Sequence, residues 1–215
     1  MRLPDTAHYS RPWRIHEVAG GYRLEDLWAL PTPGGPDDFE RLVRLIASGE
    51  LSRDESPAVR ALWALRWKVG NLLGWDRPDN SKRRATLKDR LPADLREGPA
   101  GPQCPPFTSL YLTGDEWAAE LINQTMQGVM HIGWVRDEGG GYRGQMAVLV
   151  RPNGLMGDAY MAFIRPFRRL IVYPEMTRRI ARAWGPATTS GAPRRLARSA
   201  AGRASTVAPH RRTGG

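Results

Sequence analysis

Gly144-Gln145-Met146-Ala147-Val148-Leu149-Val150 runs through Arg151-Pro152-Asn153-Gly154 into a long segment that closes at Trp184, and this passage decides the fold. Its first part reads as a strand, because it is rich in apolar residues and ends in turn-forming Pro-Asn-Gly. Its second part places Leu155, Met156, Ala159, Tyr160, Phe163, Ile164, Phe167, Leu170, Ile171, Met176, Ile180 and Trp184 at helical spacing. That spacing predicts one apolar stripe, started by Asn153 or Asp158 as N-cap, along which a sheet packs. Pro166 and Pro174 each lack a backbone N–H, which predicts a kink or a division into segments. Arg165, Arg168, Arg169, Arg178, Arg179 and Arg182 fill much of the remaining circumference and read as a solvated face lying over its own methylene stems.

Upstream of this passage the chain is β-like. Strands are expected over 107–113 and 117–123, with Gly114-Asp115 as the tight turn between them, then over 126–135 and 142–151. The glycines of Arg136-Asp137-Glu138-Gly139-Gly140-Gly141 join two strands and open no helix, so they form a hairpin turn and not a phosphate cradle.

The first third is read as mixed. Residues 12–19 set Trp13, Ile15 and Glu17 against Arg14, His16 and Val18, predicting a strand, while Leu24, Leu27 and Trp28 predict a short helical turn within 22–30. Asp37 and Glu40 resemble a capping box ahead of Phe39, Leu42, Val43 and Ile46, a helix closed by Ser48-Gly49. A second helix is expected from Ser56 and Pro57, with Val59, Leu62, Trp63, Val69, Leu72 and Leu73 as its buried stripe. Residues 76–106 hold six prolines and one helical candidate at 86–95, so they read as an irregular insertion, either a variable surface segment or a lid. Helices, a run of antiparallel strands and one long C-terminal helix make an α+β order. Residues 1–185 are expected to form a single domain, and residues 186–215, poor in apolar residues, a disordered basic tail.

Charge supports that division. The chain carries a formal net charge of +10, but six arginines follow Trp184 with no acidic residue among them; without them, 26 basic residues face 22 acidic ones, a net +4. A body of that charge does not point to specific nucleic-acid binding, and the tail lacks interleaved aromatics. It leaves the tail a weak contact with an anionic surface. Cys104 is the sole cysteine, so there is no disulfide framework and no cysteine pair at zinc spacing. With no signal-like leader and no apolar run of membrane-spanning length, the protein is expected in the cytoplasm, without metal or cofactor.

No nucleophile elbow, metalloprotease helix, phosphate loop or dinucleotide fingerprint occurs. His16 and His131, in the expected strands, are acid–base candidates with Glu116 or Glu120, because imidazole titrates near neutrality. Their plainer reading is as hydrogen-bonded strand residues. Trp117, Met126, Met130, Trp134, Met146, Tyr160, Phe163 and Phe167 line a ligand pocket between sheet and helix if one is open, and are core if it is filled.

Three blocks resemble the domain-of-unknown-function 2867 family: Ser10-Arg11-Pro12-Trp13-Arg14-Ile15-His16-Glu17, Gly128-Val129-Met130-His131-Ile132-Gly133-Trp134-Val135, and Gln145 through Gly157 continuing past Tyr160 to Arg165-Pro166-Phe167-Arg168 and Ile171-Val172-Tyr173-Pro174. The resemblance implies a likeness to the Bet v 1/START-like (SRPBCC) superfamily, hence a helix-grip fold in which a curved antiparallel sheet holds the C-terminal helix around an apolar cavity. The function expected on that basis is binding of a small apolar or amphipathic ligand by Trp117, Met130, Trp134, Met146, Tyr160, Phe163 and Phe167. Two alternatives accompany it: a cyclase- or hydrolase-like enzyme using His131 or His16 with a carboxylate such as Glu120, and a non-catalytic partner-binding module with a basic tail. The 76–106 insertion has no place in the minimal helix-grip pattern.

Overall fold

The computed structural model describes residues 1–53, 85–123 and 125–185. The helix expected from Ser56 onward and the basic tail lie outside them. Among the described residues the core element is an open antiparallel sheet of five strands in the order β1-β5-β4-β3-β2. β1 spans Arg23–Ala29, β2 Thr108–Leu112, β3 Glu116–Ile122, β4 Met126–Arg136 and β5 Tyr142–Pro152. The four strands read from the central sequence are therefore present, and the architecture is α+β.

Two assignments in the first third are corrected. Residues 12–19 are not a strand: the chain makes two single turns of helix, α1 (Thr6–Tyr9) and α2 (Ile15–Val18), that lie across the sheet. The fifth strand comes from residues expected to be helical. Leu24 pairs with Leu149 and Leu27 with Ala147, with a bulge between Leu24 and Asp26. The inserted residue lets Leu24 and Leu27, three apart, face the same side of the sheet, so a bulged strand carries helical spacing.

The helix α3 (Phe39–Ala47) forms where its stripe predicts and buries Phe39, Leu42 and Val43. Its N-cap is Asp38, whose carboxylate does not cap the helix but accepts the Gly35 N–H at 2.8 Å. A single turn, α4 (Glu50–Arg53), follows. Within the expected insertion, residues 85–97 cover part of the sheet. Thr86 caps a 3₁₀ turn (Leu87–Arg90), α5 (Ala93–Glu97) follows, and Leu87, Leu91 and Leu95 are buried in the core.

Alternation along the strands divides the core into two layers. On one face Tyr111, Ala118, Val129, Val135, Ala147 and Leu149 pack under Trp13, Ile15 and Val18 of the N-terminal segment and the three leucines of the 3₁₀ turn and α5. On the other, Trp117, Ile132, Trp134 and Met146 pack with α3 and with Tyr173, Ile180 and Trp184 of the C-terminal helix. Helical cover thus lies on both faces of the sheet.

That C-terminal helix is divided, as its prolines require: α6 (Gly154–Phe167), a π-helical turn (Arg168–Val172), then α7 (Tyr173–Trp184), with Pro174 in the first turn of α7. A π turn takes up an extra residue and rotates everything upstream by about 100° relative to a straight α-helix. The buried face is therefore not the straight stripe. Met161 is buried with Ile180, while Leu155, Phe163 and Leu170 are 90%, 49% and 76% exposed.

The arginines of this region divide: Arg165, Arg178 and Arg182 are exposed as a solvated face requires, whereas Arg168 and Arg169 turn onto the sheet. Arg168 and Arg169 reach Asp26 on β1 at 3.1 Å each, and Tyr173 O–H donates to the same carboxylate at 3.2 Å. Glu25 receives Arg23 at 2.5 Å, Arg168 at 3.4 Å and Arg165 at 3.5 Å. Asp26 is fully buried and Glu25 nearly so. These ion pairs fasten the π turn to an edge strand.

Both edges of the sheet are occupied. Leu3 N–H donates to Leu27 C=O at 2.9 Å and Ala29 N–H to Met1 C=O at 2.8 Å along β1, and at the far edge Leu112 N–H of β2 donates to Pro99 C=O at 2.7 Å.

Candidate functional site

The antiparallel pairing of β3 with β4 sets Glu116 opposite Gly133 and Ala118 opposite His131. Glu116 and His131 are thus diagonal neighbours on one face of the sheet, a separation that side chains of this length bridge. His131 Nε2 lies 2.8 Å from Glu116 Oε2. The same carboxylate accepts the Arg14 backbone N–H at 2.7 Å and the Tyr111 O–H at 3.0 Å.

Small residues make room for the N-terminal segment on this face. Ala118 and Ala147 flank His131 in the adjoining strands, and at Gly133 an added Cβ would stand 2.7 Å from the Trp13 ring. Trp13 lies edge-on to His131, with ring centroids 5.2 Å apart. Around Trp13, α1 and α2 bring down two more imidazoles. His8 Nε2 lies 3.4 Å from His131 Nδ1, and His16 Nε2 lies 2.9 Å from His8 Nδ1.

The result is an unbroken row, Glu116–His131–His8–His16, assembled from three separate stretches of chain. Glu116, His131 and His8 are buried, and His16, stacked on exposed Tyr9, is half-buried. Each interior imidazole uses one ring nitrogen toward each neighbour. The nitrogens form a chain and do not converge on one point, and among the described residues no group of three or more His, Cys, Asp or Glu is placed to hold a metal ion.

Burial, reinforced by the positive fields of His131 and His16, pushes His8 down to about 3. His16 is lowered as well, chiefly by partial desolvation and by His131, with Glu116 acting in the opposite sense. For Glu116, burial raises the carboxyl, but hydrogen bonds from His131, Arg14 and Tyr111 outweigh it and hold the group below its ordinary value. Burial and the adjacent Glu116 charge push Tyr111 up, so it stays a donor.

Of the acid–base candidates read from the sequence, His131 and His16 belong to one network and Glu116 is its carboxylate. Glu120 does not join them. It points along the same face but accepts the Leu87 N–H at 2.9 Å and the Thr86 hydroxyl, tying down the 3₁₀ turn. His8 was missed, since a lone histidine ahead of the first recognised element gives no local sign of a partner 123 residues away. Two buried donors without an acceptor, Trp13 Nε1 and Gln145 Nε2, lie on this face, Gln145 being paired across the strands with Gly133.

The proposed ligand-lining residues fall elsewhere. Trp117, Trp134 and Met146 are buried among core side chains, Met130 is half-buried against the same cluster, and Trp117 and Trp134 spend their indole N–H groups on Ser109 Oγ and Gly35 C=O. Phe163 and Phe167 contact each other at 5.6 Å between ring centroids on the outer side of α6. The side chain of Tyr160 lies outside the described part.

No helix among the described residues is long and apolar enough to cross a membrane. The family model for a protein of unknown function (DUF2867) matches residues 18–175, most of the chain, so the chain belongs to that family. Glu116 and His131 fall inside the matched span; His8 and His16 precede it. No curated protein and no solved structure matches.

Proposed function

We propose that this member of the DUF2867 family is an acid–base catalyst whose working group is His16, backed through His8 and His131 by the buried Glu116 carboxylate. The observation that carries this is the continuity of the row. With all three imidazoles neutral, one arrangement of protons satisfies every contact. His131 donates from Nε2 to Glu116 and accepts at Nδ1 from His8 Nε2–H; His8 accepts at Nδ1 from His16 Nε2–H. The lone pair of His16 Nδ1 is then left for a substrate.

Lowered basicity of His8 and His16 keeps both neutral at pH 7, the state a general base requires. When His16 takes a proton, the row polarises toward Glu116, whose charge stabilises the imidazolium without itself being protonated. The row contains no Ser, Cys or Lys nucleophile, so the chemistry it supports is proton transfer: abstraction from a carbon acid, cyclisation, or activation of water.

Kemp elimination of 5-nitrobenzisoxazole, which reports an accessible base directly, tests the reading together with nitrogen-detected NMR of the imidazoles. The expected result is turnover above that of free imidazole, abolished in His16→Ala and reduced about tenfold or more in Glu116→Gln, with His16 protonated on Nε2. A His16 resonance protonated on Nδ1, or one that ignores Glu116→Gln, defeats the proposal.

A further inference from the structure

A second site lies on the same face of the sheet as the histidine row, at the far end of β4 and β5. An open cleft of about 480 Å³ is formed there, and Arg90, Gln127, Arg151 and Gly154 are among the residues lining it. Gln127 and Arg151 are cross-strand partners, and Arg90 arrives from the end of the 3₁₀ turn that Glu120 ties down.

About half of the described arginines are engaged by carboxylates, and the two in the cleft are not. Arg14, Arg23, Arg44, Arg143, Arg165, Arg168, Arg169, Arg178 and Arg179 all make ion pairs with carboxylates. Arg90 and Arg151 make none with the described residues, yet both are close enough to Tyr22 for their charges to act on its phenol. Tyr22 O–H donates to Gln127 Oε1 at 3.0 Å, which turns the Gln127 amide nitrogen away from Tyr22 as a donor with no acceptor among the described residues. The Glu120 carboxylate, whose charge also reaches Tyr22, is committed to Thr86 and Leu87, so two guanidinium groups without a carboxylate partner among the described residues and an oriented amide line one open polar cleft and form a receptor for a compact oxyanion.

We infer that this cleft binds the phosphate end of a small phosphorylated molecule, with Arg90 and Arg151 on its oxygens and Gln127 as a third donor, the rest of the ligand extending into the open side. The volume accommodates a ligand of small-metabolite size. The site stands independently of the histidine row, and either assignment can fail without the other.

The test uses the full chain at constant ionic strength, with pyrophosphate as the probe and the Gln127 side-chain amide resonance as the local readout, since the arginine-rich tail also attracts anions. Pyrophosphate is expected to shift that resonance saturably, with affinity falling about tenfold or more in Arg151→Gln and in Arg90→Gln. Malonate separates the sources of anionic charge and is expected to bind more weakly. Equal response to malonate overturns the assignment to phosphate. Shifts confined to the tail, or affinity unchanged in both variants, overturn the site.

Discussion

His8 Nδ1 and His16 Nε2 lie 2.9 Å apart within the N-terminal segment, and His8 Nε2, 3.4 Å from His131 Nδ1, ties that segment to the sheet through an imidazole whose protonation at Nδ1 removes the acceptor of His16. Between its unfolded value near 6.5 and its folded value of about 3, His8 binds a proton in the unfolded chain and not in the folded one. Its contribution is complete above pH 6.5 and is lost as pH falls, at up to about 1.4 kcal/mol per pH unit. Glu116, held below its ordinary value, adds loss of the same sign at lower pH. Urea unfolding midpoints are therefore expected to drop steadily from pH 7 to pH 4, and less steeply in His8→Gln. Midpoints constant between pH 7 and pH 5 contradict this.

Within α6, upstream of the π turn, Met161 and Leu155 are six residues apart, which sets them about 120° from each other around the helix. Met161 is fully buried against Val150, and Leu155 is 90% exposed. Met161→Ala is expected to cost about 2–5 kcal/mol and Leu155→Ala less than about 0.5 kcal/mol. Comparable losses in chemical denaturation would mean that α6 is seated on the other side.

Gly133 supports the indole of Trp13 where any Cβ would collide with it. In Gly133→Ala the ring must move or the strand must give, at about 1–3 kcal/mol. The variant is expected to show altered indole fluorescence and faster chemical modification of His8, because Trp13 and His8 descend on the same short segment. Unchanged His8 protection would show that the segment is held independently of the indole.

Asp26 is the pivot of the edge clamp. Removing it leaves the Arg168 guanidinium, 13% exposed, facing only Glu25. Asp26→Ala is expected to lose about 3–5 kcal/mol, and the paired Asp26→Leu, Arg168→Met variant to recover only part of that, since Arg169 and the Tyr173 O–H still lose their acceptor. A double-mutant cycle reads the coupling; independent, additive losses refute it.

The central hairpins and α3 were legible because strand alternation and helical spacing are local signals there. What misled was local too: a bulge gave β1 the spacing Leu24-Leu27, and the π turn shifted the phase of the stripe, so Leu155 and Phe163 were placed inward. The site was only half legible. His131 and Glu116 are fifteen residues apart on adjacent strands, which a hairpin predicts, whereas His8 joins them through tertiary folding alone. Residues 85–97 looked like part of an insertion because prolines dominate 76–106, and the burial of Leu87, Leu91 and Leu95 depends on a sheet face distant in sequence.

The occupied edges of the sheet bear on how copies of the chain meet. An open strand edge is a template for a neighbour's strand. Here the first three residues run beside β1 and the Pro99–Pro102 stretch beside β2, with proline on the latter unable to extend a ladder. The sheet is in this sense self-terminating. The N-terminal segment that carries two of the three histidines also shields β1 from strand addition, so loosening it in acid would expose a docking edge as it dismantles the row. Loss of the histidine network and exposure of the β1 edge are thus expected together, through one short piece of chain.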